Sequence, residues 1–346
     1  AYFHTKAIHG SVWIWPSFVV WALDRCIRLV RLVVSNHLYF GFTRRSGSLH
    51  ATTELLCEDF VRVRLRRPPH FHWSPGQSAY LIMPSVSTLP FEAHPFSISS
   101  IDSSLFHQHG DDHSENGEES AAAYWKELVF VVNVRGGFTK RLKEVAARNE
   151  TIKVFVDGPY GSPPDLGGYD TSVLVAGGTG VTYTLPVFLS IVEAVRNGSS
   201  NCRRVVFIWA VRDSSHLAWI SDALSRANSL APPSLTVSIQ IFVTNGGTAL
   251  SESDSMDQDQ ILEKEHKHRD ILVAPWLKME NGRPDLQAIL REEVNGAVGR
   301  MSVSVCGSQG LARSVRRALR FPVSGPCSIL YGGPSVTLYV ESFGYA

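Results

Sequence analysis

The 346-residue chain has almost no excess charge: 33 lysines and arginines stand against 32 aspartates and glutamates, a formal net charge of +1. So even a balance builds no field to hold a polyanion, which argues against nucleic acid as a partner. Cysteine is scarce too, five in all and never spaced as C-x-x-C. That pattern argues against a structural zinc site or a disulfide framework, and a reduced, cytosolic body is expected. Cys26, Cys57, Cys202 and Cys327 read as small hydrophobes in the packing. A basic n-region and a small-residue cleavage site are both missing, so no cleavable signal peptide is read.

The first 34 residues differ from the rest. "GSVWIWPSFVVWAL", Gly10 to Leu23, carries no charge and three tryptophans, and "DRCIRLVRLVV" follows with Arg25, Arg28 and Arg31 at threefold spacing. The uncharged run falls short of the roughly 20 residues of a full membrane span. It fits the end of a spanning helix, an interfacial helix or a buried core helix. Tryptophans beside a basic stripe favour the membrane interface, with the arginine end cytosolic. The chain reads as a piece of a longer membrane protein.

"FVRVRLRR", from Phe60, alternates Val61, Val63 and Leu65 with arginines, the period of a half-buried strand. "SPGQSAYLIM", "HPFSISSI", "ELVFVVNV" (127–134) and "TIKVFVDG" (151–158) read as further strands, and "GGFTKRLKEVAA" as a helix opened by Gly136, Gly137 and Thr139. Short strands at this spacing predict an antiparallel barrel with one helix. Near Pro163 the rhythm changes. "SVLVAGGTGVTYTLPVFLSIVEAV" is a buried strand, a glycine turn and an amphipathic helix; "RVVFIWAVRD", "LTVSIQIFV" and "MSVSVCGSQGLARSVRRAL" repeat the theme. Alternating strands and helices predict a parallel sheet covered on both faces. Pro186 is expected near the first turn of its helix or at a kink. Two polar insertions, 106–120 and 245–270, read as solvated loops; His107, His109, His113, His266 and His268 lack apolar anchors for a metal site.

"VLVAGGTGVT" places Gly177, Gly178, Thr179 and Gly180 between a buried strand and a helix. There unpaired N–H groups and the positive end of the helix dipole welcome a phosphate, and glycine lets the backbone approach it. The spacing is not G-x-G-x-x-G, and packing alone also explains such a turn. "VSVCGSQG" (303–310) is a second such turn, which sets Cys306 at the end of a strand, lining the crevice where α/β sheets bind ligands. A buried thiol closing a strand is the alternative.

Taken together, "HPFSISS", "RGGFTKRL", "DGPYGS", "VLVAGGTGVT", "VCGSQG" and "YVESFGY" resemble, in order, the flavin dehydrogenase part of the ferric reductase and NADPH oxidase family. "WALDRCIRLVRL" resembles the end of that family's last membrane helix. The resemblance implies a β-barrel FAD-binding domain and a parallel-sheet α/β NADPH-binding domain, ferredoxin reductase-like, preceded by a partial membrane helix. The implied boundaries are 1–35, 48–165 and 168–346.

By that resemblance His94, Pro95, Phe96 and Ser97 lie along the isoalloxazine and ribityl chain, and Gly136, Gly137, Phe138 and Thr139 cradle the FAD pyrophosphate. Gly177, Gly178, Thr179, Gly180 and Thr182 meet the NADPH pyrophosphate. Cys306 and Gly307 sit beside the nicotinamide, and Phe343 covers the flavin face; Glu341 and Ser342 precede it. Arg212, ending a strand, and Arg283, in "NGRPDL", are candidates for a 2′-phosphate, since guanidinium forks onto phosphate oxygens. His4 matches the last haem histidine, although haem b is expected only in a full-length parent. The implied function is electron flow from NADPH through FAD to ferric or cupric chelates, at a membrane, with the plasma membrane expected and both nucleotide domains facing the cytosol. A superoxide-generating oxidase and a non-catalytic, membrane-attached relative are the alternatives.

Overall fold

The alternation in "FVRVRLRR" is realised residue by residue. Strand β2 (Phe60–Arg67) turns Val61, Val63 and Leu65 inward at 0, 0 and 1% exposure, while Arg62 and Arg64 point the other way. A computed structural model describes residues 11–34, 36, 49–67, 71–103, 126–245, 276–320 and 323–341. β2 pairs antiparallel with β1 (His50–Cys57) and with β5 (Lys126–Asn133), and β1 also pairs with β6 (Thr151–Lys153). A second antiparallel sheet has the order β4 (Ala93–Ser97), β3 (Ser78–Ile82), β7 (Phe155–Tyr160).

The chain itself joins the two sheets. Beyond β4, Ile98 N–H donates to Gln77 O and Ser99 N–H to Val129 O on β5. Both sheets bury one core that includes Ala79, Leu81, Leu128, Phe130 and Val156. Helix α2 (Phe138–Ala146) closes it with Phe138, Leu142, Val145 and Ala146 inward, a helical stripe. "TIKVFVDG", read as one strand, is two: the chain breaks at Val154 so that β6 serves the first sheet and β7 the second. β1, whose "HATTELLC" has only a weak alternation, was not anticipated.

From Thr171 the chain forms a six-stranded sheet, wholly parallel, in the order β11 (Leu277–Asn281), β10 (Thr236–Val243), β9 (Arg204–Val211), β8 (Thr171–Gly177), β12 (Arg300–Cys306), β13 (Ser335–Glu341). Helices α3 (Val181–Arg196) and α4 (Ser221–Leu230) cover one face; α5 (Leu286–Gly296) and α6 (Gln309–Ala318) cover the other. The strands are buried on both faces, which explains the near-continuous apolar runs. Pro186 lies inside α3, in its second turn, where it costs a backbone hydrogen bond yet packs as a buried residue.

Helix α1 (Ser11–Val33) is different. Trp15, Phe18, Trp21, Ile27 and Leu29 are all more than half exposed, so its apolar surface is largely unmet by the rest of the chain. Among the described residues, Gly178–Arg196 is the one helical segment long and apolar enough to cross a membrane, and 67% of it is buried. It contains α3 and is a core helix.

Candidate functional site

At the start of α2 the backbone turns through Gly136 and Gly137, the latter at φ +54°, a conformation that suits glycine. A Cβ at either position would meet nothing within 4 Å. No side chain caps the helix start; the Thr139 hydroxyl turns back to accept from the N–H groups of Arg135 and Gly136 and to donate to Gly136 O. The result is an open cradle at a positive helix terminus, suited to a phosphate.

Against it stands β4. The His94 ring stacks on Phe138 with centroids 4.1 Å apart and 26° between planes, and Phe96 lies 6.3 Å from Phe138. Three residues predicted for one cofactor are thus brought together from two segments. Pro95 and Ser97 pair with Tyr80 and Ser78 of β3. His94 Nε2 lies 3.0 Å from Glu92 Oε1 but off hydrogen-bond alignment, so among the described residues that buried nitrogen has no hydrogen-bond partner. The buried Ser99 hydroxyl lacks one as well. The unsatisfied His94 nitrogen, stacked beside the open glycine cradle through Phe138, fits a bound ligand with hydrogen-bonding edges, while the Ser99 hydroxyl lies at the cleft toward the parallel-sheet half.

The second set of predicted residues gathers at the carboxyl ends of the parallel strands. Gly178 is at φ +54° and opens to free space, held by Trp209, whose Nε1–H donates to Gly178 O at 3.0 Å. The other glycines serve close approach instead. A Cβ on Gly180 would lie 2.0 Å from Cys306 O, and one on Gly307 would lie 3.1 Å from Gly177. Thr182 is buried, its hydroxyl donating to Thr179 O at 2.9 Å. The turns after β8 and β12 therefore form one joined rim.

Cys306 is at 0% exposure, beneath that rim rather than open to it. Burial, with the nearby Glu341 carboxylate second, pushes its thiol far above the ordinary thiol range. It is not a thiolate nucleophile. Arg212 follows β9 and Arg283 follows β11; both are exposed at the same edge of the sheet, two strands apart. Phe343, Ser342 and His4 lie outside the described residues, as do His107, His109, His113, His266 and His268.

The two halves meet along a cleft of about 340 Å³. Ser99 and Ile101, just past β4, face Val181 and Thr182, just past the β8 turn, across it. Arg62 and Arg64, which alternation alone would assign to solvent, line its far wall. Several contacts that were not foreseen span the seam. Tyr183 packs so close to the Pro75–Gly76 turn that a Cβ on Gly76 would meet its ring at 2.8 Å. Ser103 Oγ donates to Glu193 at 2.6 Å, and Arg62 to Trp219 O at 3.4 Å. Phe60 lies 4.5 Å from the Trp219 ring, and His216 stacks on Trp219 at 4.2 Å. Cys57 Sγ is 3.7 Å from His216 Nε2. Burial lowers the His216 pKa, opposed by Asp213 and Asp59 and aided by Arg212. None of these residues belongs to a motif; only their aromatic or small character near turns was a signal.

Residues 45–110 match the family model described as "FAD-binding domain", and residues 169–319 match "Ferric reductase NAD binding domain". The chain belongs to the ferric reductase and NADPH oxidase family. It therefore carries an FAD-binding domain and a NAD-binding domain. Among similar family members is a probable cell surface ferric reductase, kap2, of Aspergillus oryzae, 29% identical over 86% of this chain and 39% of its own length. Ferric/cupric reductase transmembrane component 2 of Saccharomyces cerevisiae is 26% identical over 90% of this chain and 40% of its length. Human NADPH oxidase 5 is 23% identical over 87% and 44%. The chain thus spans about two-fifths of the length of the curated relatives it matches.

Proposed function

We propose that this chain is the flavin- and nicotinamide-binding part of a membrane reductase that passes electrons from NADPH to ferric or cupric chelates. The observation that carries the reading is the shared cleft, in which the segment following His94–Ser97 faces the helix opening that follows Gly177–Gly180. FAD held there would supply the conversion of a hydride donor into a source of single electrons.

The protein's part is positioning. His94, Pro95, Phe96 and Ser97 offer stacking surface and hydrogen-bonding edges to the ring, and Gly136, Gly137, Phe138 and Thr139 an open helix terminus to the pyrophosphate. Gly177 to Thr182 offer the second phosphate site. Arg212 and Arg283, exposed at one sheet edge, supply guanidinium groups for a 2′-phosphate and favour NADPH over NADH. Cys306 and Gly307 form the floor beneath the nicotinamide, with Phe343 as the covering aromatic. The domain bounds that go with this reading are 1–35, 48–165 and 168–346. The exposed apolar surface of α1 supports attachment to a membrane, and the reading takes this as the plasma membrane with both nucleotide domains cytosolic. His4 would then be a haem ligand of the longer parent.

The test is spectroscopic. Purified chain given FAD should retain flavin absorbance, and NADPH should bleach it, with ferricyanide restoring the colour. Protein that stays flavin-free would end the proposal. The similarity to NADPH oxidase 5 supports a second reading in which O₂ is the acceptor. Superoxide release without chelate reduction, in the longest form of the protein in lipid, would select it.

A further inference from the structure

Among the described residues, one side chain at the join between α1 and the β half is fully buried. Asn36 is at 0% exposure, just past the end of α1. Its Nδ2 donates to Leu32 O in the last turn of that helix at 2.9 Å, and to Val156 O on β7 at 2.8 Å. Its Oδ1 accepts from Val156 N–H at 3.0 Å and from Arg67 at 3.4 Å. A carboxamide has two donors and one oxygen, and all are used.

The pairing with Val156 has a topological meaning. β7 is an outer strand of the sheet β4-β3-β7, so among the described residues one side of its backbone has no strand neighbour. Asn36 takes both the N–H and the C=O of one residue on that side, as a neighbouring strand would. One turn earlier, Arg31 Nη2 donates to Asp157 Oδ1 at 3.3 Å and its guanidinium lies 4.4 Å over the Tyr160 ring, while Tyr160 donates to Asp157 at 2.6 Å. The same sheet carries His94–Ser97, two strands from β7, on the order of 10 Å across.

We propose that Asn36, seconded by Arg31, is a positioning residue that fixes the end of α1 to β7 and so sets the flavin-side sheet at one distance and tilt from the membrane helix. The inference rests on the proposed function, in which electrons leave the flavin toward a membrane-borne acceptor. A surface ion pair alone would not hold such geometry, because exposed pairs are worth under about 1 kcal/mol. A fully buried carboxamide with every atom paired would, since swinging α1 away strands those groups.

The full chain, loaded with FAD in lipid discs, allows a direct test. Spin labels go on Cys26, which is exposed on α1, and on Ser85→Cys, exposed on the β half, in a background with Cys57 and Cys327 changed to Ser. Pulsed EPR should give one narrow distance for the parent and a distribution at least twofold wider for Asn36→Leu. Turnover of NADPH with ferricyanide, which needs no membrane acceptor, should stay within twofold. If Asn36→Leu fails to fold, Asn36→Asp, which loses both donors, and Arg31→Ala should each widen the distribution. A distribution equally narrow in all three variants overturns the proposal. Ferricyanide turnover absent from the parent itself, with the width still responding, would sink the functional reading and leave the joint standing.

Discussion

Gly180 gives the sharpest energetic test of the joined rim. Its φ is −55°, so alanine could adopt the same backbone, and at a helix N-cap the change from glycine to alanine costs only a modest amount by itself. The packing around it predicts a much larger loss. A Cβ there would sit 2.0 Å from Cys306 O, 2.6 Å from Cys306 C and 3.2 Å from Gly307 N. An ordinary carbon–oxygen contact is about 3.3 Å or longer. The turn must therefore withdraw from β12 by on the order of 1 Å. Both obstacles are backbone, with no rotamer to yield, so the cost lies near the upper end of overpacking, about 3 kcal/mol. For domains of this size that is a fall of roughly 6–12 °C in Tm. Gly136→Ala is the matched control, because a Cβ there meets nothing within 4 Å. It should leave the Tm of the FAD-free protein within about 2 °C, yet weaken FAD binding tenfold or more by filling the cradle, roughly 1.4 kcal/mol. Scanning fluorimetry with and without FAD reads both. Gly180→Ala melting at or above the parent would refute the contact between the β8 and β12 turns.

Four further outcomes follow from the geometry. Phe138→Leu nearly conserves volume but removes the stack on His94, so it should cost about 1–2 kcal/mol in urea denaturation and lower FAD occupancy further than stability alone explains. Asp102→Asn should cost about 3 kcal/mol by the same assay, because Lys126 is 7% exposed and relies on that carboxylate at 2.7 Å. His216 is neutral in the folded seam and its pKa is depressed, so the unfolded chain binds the extra proton first; stability is full above about pH 6.5 and falls as pH drops below it. His216→Phe, which keeps the stack on Trp219, should flatten that part of the Tm profile between pH 7.5 and 5. At pH 8 in native protein, iodoacetamide should label Cys26 and spare Cys202 and Cys306, whose thiols burial raises; mass-spectrometric labelling of Cys306 at the Cys26 rate would contradict its place beneath the rim.

What could be read in the sequence was whatever local periodicity decides. The valines of β2 and the unbroken run of β8 declared themselves because period and burial coincide there. Glycine turns were legible as turns, but not in their division of labour. Only tertiary contact shows that Gly178 opens to space while Gly180 touches Cys306. Resemblance assigns His94 and Phe138 to one cofactor, yet nothing local says that their rings meet 4.1 Å apart. The split of "TIKVFVDG" at Val154 was hidden for a similar reason: both pieces have strand character, and it is their partners in different sheets that separate them. Asn36 was wholly illegible, since an asparagine after a helix usually ends it and only the open side of β7 gives it another task.

The seam contacts bear on how the two halves work together. They are distributed rather than concentrated: Gly76 against Tyr183 at one place, Ser103 on Glu193 at another, Phe60 and Arg62 on Trp219 at a third. A hinge would have to part all three sets, one of them a close-packed backbone turn. The segment that carries His216 and Trp219 follows directly on Arg212, so one loop joins the sheet edge proposed for the nucleotide to the grip on the β half. Anything that shifts Arg212 must pull on that grip. Binding of 2′,5′-ADP alone, which reaches no further than the adenosine end, should therefore change Trp219 fluorescence, and Arg212→Ala should abolish the change. A Trp219 signal indifferent to the ligand at saturation would show that the nucleotide edge and the seam are mechanically separate.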